Sequence, residues 1–251
     1  MPIRARRKLE TAIRQMPPCV VGEYGRMIVA DGIYYALGLT AGGLLVSYLT
    51  HAWYGLPLYI LAAFCLYFFR DPERAIPAGP VAVSPADGKV VAVKKETATH
   101  TRISIFLSIF DVHVNRSPIG GAIADVRYSK GKFHVASREE CSTENEQNVV
   151  SVRGEGTCVV FRQIAGLIAR RIVFTKQRGD LVLKGERVGL IKFGSRVDVL
   201  FGPEWEIMVQ VGARVLAGSS VIARRSEFAD LDLAEARSLL AETRELVHAQ
   251  A

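Results

Sequence analysis

The chain has 251 residues, 49% of them hydrophobic and 23% charged, with a formal net charge of +7 and a mean hydropathy of +0.19. That apolar content excludes a disordered, solvating chain and exceeds what a wholly soluble domain needs, so a membrane segment is expected. Cys19, Cys65, Cys141 and Cys158 lack any CxxC spacing, which argues against a disulfide framework and reads as reduced, structural cysteine facing a cytosol.

Residues 1–26 are basic, with Arg4, Arg6, Arg7, Lys8, Arg14 and Arg26, and are broken by Pro17 and Pro18. From Gly32 to Phe69 there is no Asp, Glu, Lys or Arg. As one helix this stretch would be about 57 Å long, nearly twice the roughly 30 Å of bilayer hydrocarbon. Two helices are therefore expected, Ile33–Leu49 and Trp53–Phe69, joined around Thr50-His51 and Gly55-Leu56-Pro57. Trp53, Tyr54, Tyr59, Tyr67, Phe68 and Phe69 suit the membrane interface. Residues 1–69 thus read as a basic arm and a membrane-associated helical hairpin. Both hairpin ends are expected on the cytoplasmic side of the cell membrane, where the arm meets anionic lipid. A basic surface also suits nucleic acid, but the apolar neighbour favours the membrane, and no nucleic-acid partner is expected. A spanning hairpin and a deeply seated monotopic one fit the pattern equally.

Arg70 to Arg74 end the apolar run and open a second domain, residues 70–225, in which the period changes. From Val81 on, short β-branched runs alternate with Gly, Pro, Asn and Asp. They are Val90–Val93, Ile103–Ile109, Ala122–Tyr128, Asn148–Val152, Thr157–Ile164, Leu167–Phe174, Leu181–Ile191, Val197–Phe201, Glu206–Val211 and Ser220–Ala223. Many short strands without βαβ alternation predict a β-dominated (α+β) fold. Glycine-bounded turns at 185–189 and 212–218 suggest a flattened barrel-sandwich of the lipoyl or biotinyl kind. Residues 226–251 are acidic, and Leu231 to Val247 carries apolar residues at helical spacing, so an amphipathic C-terminal helix is expected.

Three polar clusters punctuate the β region. Ser84-Pro85-Ala86-Asp87-Gly88 reads as a turn, or as a catalytic carboxylate at one. Phe106 to Pro118 reads as one alternating strand that sets His113 among apolar residues, with Asp111, Asn115 and Arg116 on or near the same face. Such a histidine is either a satisfied core residue or a general base. Lys130 to His134, followed by Glu144-Asn145-Glu146, reads as an exposed charged loop. His51, His100, His113, His134 and His248 lie far apart with no HxxxH or HExxH pattern, so no metal site is expected.

The last feature is Gly194-Ser195, which interrupts a segment rich in β-formers. A glycine in a strand marks a bulge or a close approach to the backbone. The group approaching closely could be the hydroxyl of Ser195 itself. Attack of its Oγ on the Gly194 carbonyl would convert the peptide to an ester; elimination would then cut the chain, leaving a dehydroalanine that hydrolyses to a pyruvoyl group. A solvent-facing serine on a β-bulge fits the same residues.

Seven ordered motifs bear on that choice. They are Phe68-Phe69-Arg70-Asp71-Pro72, Ser84 to Val90, Phe106-Leu107-Ser108 running into Val112-His113-Val114-Asn115-Arg116-Ser117-Pro118, Lys130-Gly131-Lys132-Phe133, Glu144-Asn145-Glu146, Gln163 to Gly166 with Ala169 to Ile172, and Gly194 to Asp198. Together, over roughly residues 68–225, they resemble the short form of the phosphatidylserine decarboxylase proenzyme family. The resemblance implies self-cleavage between Gly194 and Ser195 into a β chain (1–194) and an α chain (195–251), which stay associated, with a dimer of such pairs as a further expectation. It implies that Ser195 becomes a covalent pyruvoyl cofactor. Phosphatidylserine condenses with that ketone as a Schiff base, loses carbon dioxide and leaves as phosphatidylethanolamine. It further implies a triad-like relay of Asp87, His113 and Ser195 for self-cleavage. Longer family members carry two histidines in a Tyr-His-Arg-x-His-x-Pro pattern; here only the position of His113 is filled, and Arg116 stands where the second would be. Rival readings are a membrane-anchored lipoyl-like binding module without chemistry, and a pyruvoyl-dependent decarboxylase of a soluble amino acid.

Overall fold

The computed structural model describes residues 29–134, 141–154, 156–166, 171–192 and 195–226. The basic arm and the expected C-terminal helix fall outside these described residues. Two helices come first, α1 (Ala30–Leu49) and α2 (Ala52–Phe68), near the expected spans. The break between them is at Thr50-His51, whereas Gly55 and Pro57, expected in the connection, lie inside α2. Packing explains Gly55. A Cβ there would collide with Ser47 Oγ and the Gly43 carbonyl, and a Cβ on Gly43 would strike the Tyr59 ring, so these glycines let the helices approach closely. Ser47 Oγ and Tyr59 Oη meet 3.3 Å apart across the pair. By length and composition α1 is apolar enough to cross a membrane, and α2 is a shorter apolar helix. Tyr48, Leu49, Trp53 and Tyr54 are exposed at their junction.

The rest is β-dominated, as the periodicity predicts. The strands are β1 (Val81–Val83), β2 (Gly88–Lys95), β3 (Thr101–Leu107), β4 (Val114–Arg116), β5 (Gly121–Ser129), β6 (Gln147–Gly154), β7 (Thr157–Ile164), β8 (Arg171–Phe174), β9 (Leu181–Val182), β10 (Arg187–Lys192), β11 (Ser195–Phe201), β12 (Trp205–Ile207), β13 (Arg214–Val215) and β14 (Val221–Arg225), with a short helix α3 (Cys141–Glu144) between β5 and β6. An eight-stranded sheet runs β13-β2-β3-β11-β7-β6-β5-β9, and two three-stranded sheets run β4-β10-β8 and β1-β14-β12. Every strand pairing within these sheets is antiparallel.

Two expected strands are broken, for local reasons. Leu181–Ile191 divides into β9 and β10 because Gly185 turns the chain at φ +76°, a conformation that favours glycine. The Phe106–Pro118 run ends at Leu107 and resumes at Val114. Between them Asp111 Oδ2 accepts from Ser108 N (2.8 Å) and Ser108 Oγ (2.7 Å), and these bonds close a turn. Side-chain alternation therefore does not carry from Asp111 through His113, and the expected polar stripe is replaced by a turn followed by a short strand.

The core lies on one face of the large sheet: Ile103, Ile105 and Leu107 from β3, Val197, Val199 and Phe201 from β11, Val159 and Phe161 from β7, and Val150 and Val152 from β6 are all buried. Directly opposed residues share a face, so the registers Val197↔Gln163 and Asn148↔Gln163 add Gln163 and Asn148 to it, and Ser195, two residues from Val197, joins them. The apolar face thus ends in a polar corner.

The hairpin is fastened to this β region. Phe68 and Phe69 pack on Leu190 with Val29, Phe64 and Val173 around them, and Lys192 Nζ pairs with Asp31 at 2.9 Å. Residues 70–74 form a strap. Asp71 pairs with Arg116 at 2.9 Å and with Arg187, Glu73 meets Arg187 at 3.0 Å, and Arg74 meets Asp87 at 2.8 Å. Arg116 also donates to the carbonyls of Gly185 (3.1 Å) and Pro72 (3.2 Å), so its buried charge is fully engaged. Removing one member of a buried pair strands the other charge, at a cost of about 3 kcal/mol. Asp71→Asn should therefore lower the urea midpoint in detergent by that equivalent at unchanged slope, followed by the fluorescence of buried Trp205. An unchanged midpoint would show that the strap is not held by this pair.

Candidate active site

The polar corner is built by two chain crossings. β3 and β11 are neighbours in the large sheet, where Leu107 faces Ser195. β4 and β10 are neighbours in the small sheet, where Val114 faces Leu190. The chain therefore changes sheet twice, leaving β3 at Leu107 to enter β4 at Val114, and leaving β10 at Lys192 to enter β11 at Ser195. His113 ends the first crossing and Ser195 ends the second. Ile191 N donates to the His113 carbonyl at 3.3 Å, which ties the crossings together. Phe193 and Gly194, and with them the carbonyl that Ser195 would attack, lie outside the described residues.

Three fully or nearly fully buried side chains here hold polar atoms with no hydrogen-bond partner among the described residues: Ser195 Oγ, His113 Nε2 and Asn115 Nδ2. Buried polar atoms are normally satisfied, and each left unmade costs about 1–3 kcal/mol. Such a cluster marks a place arranged for chemistry rather than for stability.

His113 is held as a neutral imidazole. Its Nδ1 lies 2.9 Å from the Asp111 carbonyl oxygen, which can only accept, so the proton sits on Nδ1 and Nε2 keeps its lone pair. The ring stacks on Phe68, the last residue of α2, with centroids 4.2 Å apart. Burial pushes the imidazole pKa down from its ordinary 6.5 to about 4, against the opposing pull of the Asp111 carbonyl bond, so the ring is neutral at neutral pH.

Asn115 is oriented by a relay of amides. Asn148 Nδ2 donates to Gln163 Oε1 (3.0 Å), and Gln163 Nε2 donates to Asn115 Oδ1 (2.8 Å). With its oxygen taken, Asn115 offers only the two N–H bonds of Nδ2. The sequence placed Asn115 near His113, but nothing in the pattern of β6 and β7 tied Asn148 and Gln163 to it, because that link is made only by strand register.

Asp87 sits apart from the imidazole. Its Oδ1 accepts from Ala217 N (2.7 Å) and its Oδ2 from Arg74 (2.8 Å), and it makes no hydrogen bond to His113. Burial raises its carboxyl pKa, with Ala217 N and Arg74 pulling the other way. The backbone of Asp111, rather than the Asp87 side chain, is what orients the histidine. Asp111 itself is turned away: burial works to raise its carboxyl, but bonds from Ser108 and Arg214 outweigh this and hold it below the usual range. Arg116 faces the Asp71 strap and not the imidazole. Lys132 and His134 both meet Glu144 at 3.0 Å on the surface, but the expected exposed loop holds only in part: Asn145 is buried, and its Nδ2 donates to the carbonyls of His134 (2.9 Å) and Ala165 (2.7 Å).

On the other face of β11, Arg196 binds Asp198 (2.6 Å) and Ser104 Oγ (2.7 Å), and Ser142 Oγ binds Asp198 (2.9 Å). Arg196 follows Ser195 directly in sequence, but it and its partners lie behind Ser195 in the sheet.

The neutrality of His113 links to pH. The unfolded chain binds a proton near pH 6.5 that the folded chain refuses until about pH 4, so the contribution is complete above 6.5 and is lost as pH falls through this window. Wild type should therefore lose roughly 3 kcal/mol between pH 6.5 and 4 that His113→Gln does not lose. Parallel pH dependence in the two proteins would mean that Nε2 is hydrated.

A family model described as phosphatidylserine decarboxylase matches residues 61–223. The chain is 69% identical over 198 residues to the phosphatidylserine decarboxylase proenzyme of Solibacter usitatus, covering 79% of this chain and 97% of the relative. Proteins of the same name from Cupriavidus taiwanensis (43% over 195 residues, 73% and 90% covered) and Oleidesulfovibrio alaskensis (42% over 201 residues, 76% and 91% covered) are similar along nearly as much of their length.

Proposed function

The chain belongs to the phosphatidylserine decarboxylase family, and from that premise we infer how it is activated and which residues serve it. It is a carboxy-lyase that converts phosphatidylserine to phosphatidylethanolamine and carbon dioxide. The observation that supports the reading is a buried Ser195 Oγ with no hydrogen-bond partner among the described residues, together with a buried His113 Nε2 that has none there either.

His113 Nε2 takes the Ser195 hydroxyl proton as Oγ adds to the Gly194 carbonyl. The Gly194–Ser195 C–N bond breaks and an ester forms, the proton passing to the freed amine. Loss of the Ser195 α-proton then breaks the Cβ–Oγ bond, leaving Gly194 as a carboxylate and residue 195 as dehydroalanine. Water replaces the nitrogen, ammonia departs, and a pyruvoyl group ends the α chain. Asn115 Nδ2 is the donor for the oxygen that gains negative charge during the attack. Asp87 acts through position, holding Arg74 of the strap against the turn at Ala217, rather than as the third member of a relay.

The corner fits the pyruvoyl group: Ser195 is buried, its Oγ has no competing bond among the described residues, and the buried His113 Nε2 and Asn115 Nδ2 are likewise unengaged there. Bound there, the ketone supplies an electron sink for the carbanion left by carbon dioxide. Residues of this chain exclude water through Phe68 and Leu107, and His113 returns the proton to the substrate carbon.

Scission would not separate the chains. The α chain would carry β11, which is paired with β3 on one side and β7 on the other, along with β12, β13 and β14, and three of these four strands bond to strands of the β chain. The α1–α2 hairpin is read as lying in an anionic cell membrane with the β region on the cytoplasmic side, next to the basic arm. Lipid substrate favours this enzyme over a soluble amino-acid decarboxylase, and over a non-catalytic lipoyl-like module.

Purified protein should appear as two co-purifying chains divided at 194/195, the smaller one blocked to Edman degradation and reactive to ketone reagents. Ser195→Ala should stay whole, and a wild type that is active while uncut would overturn the reading. Cleavage in His113→Ala should slow by about 10²–10⁴-fold, and in Asn115→Leu by about 10²-fold. In wild type the cleavage rate should be level from about pH 5 to 8 and fall near pH 4, where Nε2 protonates. A fall centred on 6.5 would place the base in water.

A further inference from the structure

We propose that the turn joining β3 to β4, with Ile109 and Phe110 at its tip, is a second bilayer contact that enters the interfacial zone beside the hairpin and holds the active site against the lipid headgroups. The proposal rests on the reading of the α1–α2 hairpin as membrane-embedded.

The first ground is the exposure of apolar side chains on a rigid turn. Phe110 is 61% exposed and Ile109 37%, although the turn is fixed from within by Ser108 and Asp111, whose backbones also meet at 3.0 Å. A preformed turn that presents a phenyl ring to solvent has paid no attention to its own core, so the ring is shaped for another phase.

The second ground is where the turn is tied. The Phe110 carbonyl accepts from Tyr67 Oη (3.2 Å) and from Arg70 Nη2 (2.7 Å). Tyr67 belongs to the last turn of α2, and Arg70 comes two residues after that helix ends. The Arg70 guanidinium lies 3.9 Å above the Tyr67 ring. An arginine stacked on a tyrosine at a helix end belongs at headgroup depth, with apolar stems towards the chains and charge towards phosphate. Whatever depth Tyr67 takes, the Phe110 backbone takes it too.

The third ground is charge. Arg214 is exposed and its Nη1 reaches Asp111 Oδ1 at 3.0 Å, and Arg214 faces exposed Lys89 across the β2–β13 pair. Arg70, Arg214 and Lys89 thus flank an apolar tip, with Asp111 offsetting one of them. That arrangement matches a surface of anionic phospholipid. The same turn supplies the Asp111 carbonyl that orients His113, so the residue touching lipid and the residue holding the base are neighbours in one closed loop.

The test uses the full chain in phosphatidylcholine–phosphatidylglycerol vesicles, which contain no substrate. Trp53→Phe removes the hairpin indole, buried Trp205 remains as an internal reference, and Phe110→Trp adds a probe at the tip. The added emission should shift to the blue with vesicles and be quenched by lipids brominated near the glycerol end of the acyl chains. Absence of quenching there, while Trp53 is quenched in the unsubstituted protein, overturns the proposal but leaves the hairpin reading standing. Absence of quenching at both positions overturns both. A blue shift that needs no lipid and grows with protein concentration assigns the tip to a second copy of the chain and also overturns it. In kinetics, Phe110→Ser should raise the KM for vesicle substrate about tenfold, the loss expected from one interfacial ring, and leave turnover of a short-chain monomeric substrate unchanged. Equal losses on both substrates would make Phe110 a structural residue and end the proposal.

Discussion

β11 is hydrogen-bonded along both edges, to β3 from Ser195 to Phe201 and to β7 from Arg196 to Leu200. This double pairing is the constraint on which the rest depends. A serine at the first position of a central strand cannot drift, because moving it by one residue would turn every following side chain to the wrong face. The strand also carries the interior with Val197, Val199 and Phe201, and the ion pair behind it with Arg196 and Asp198. Fixing Ser195 and building the core are therefore one event. The same pairing explains how a chain could be cut at 194/195 and persist: the bond to be broken precedes the strand, and the strand's own ladders lie beyond it.

Precision at the corner comes from three independent directions. β11 brings Ser195, β4 and the residue just before it bring Asn115 and His113, and α2 brings Phe68 across the imidazole face. The amides of Asn148 and Gln163 point the Asn115 donor. Each support is buried, so the electrostatic effect of every donor and lone pair is strengthened by the low local dielectric. The cost is that three polar atoms have no partner among the described residues, which the surrounding apolar core must outweigh.

The strap of residues 70–74 links this corner to the apolar hairpin. Its charges are committed, residue by residue, to both sides of the β region: Asp71 to Arg116 and Arg187, Arg74 to Asp87, and Arg70 to the carbonyl of Phe110. A buried pair of this kind contributes little net stability, but it specifies one geometry, since any other leaves a charge unpaired. Hairpin, strap and turn consequently behave as one mount for the site.

Periodicity and composition were enough to locate the charge-free hairpin, the β-dominated region and most strands, because burial of apolar side chains dictates both periods. The Gly194-Ser195 pair, His113 and Asp87 were legible as chemistry-bearing residue types, and family motifs gave their order. The sequence alone could not show that Phe106–Pro118 bends at Ser108 and Asp111, since a side-chain-to-backbone bond there competes with the strand ladder. Nor could it show that Asp111 lends a backbone carbonyl to His113 while the Asp87 carboxylate is spent on Arg74 and Ala217. Backbone carbonyls are identical at every position, so only the fold selects one of them. The Asn148–Gln163–Asn115 relay and the Asp71–Arg116 pair join residues far apart in the chain. Strand register and the return of the strap decided them, through contacts that local sequence does not encode.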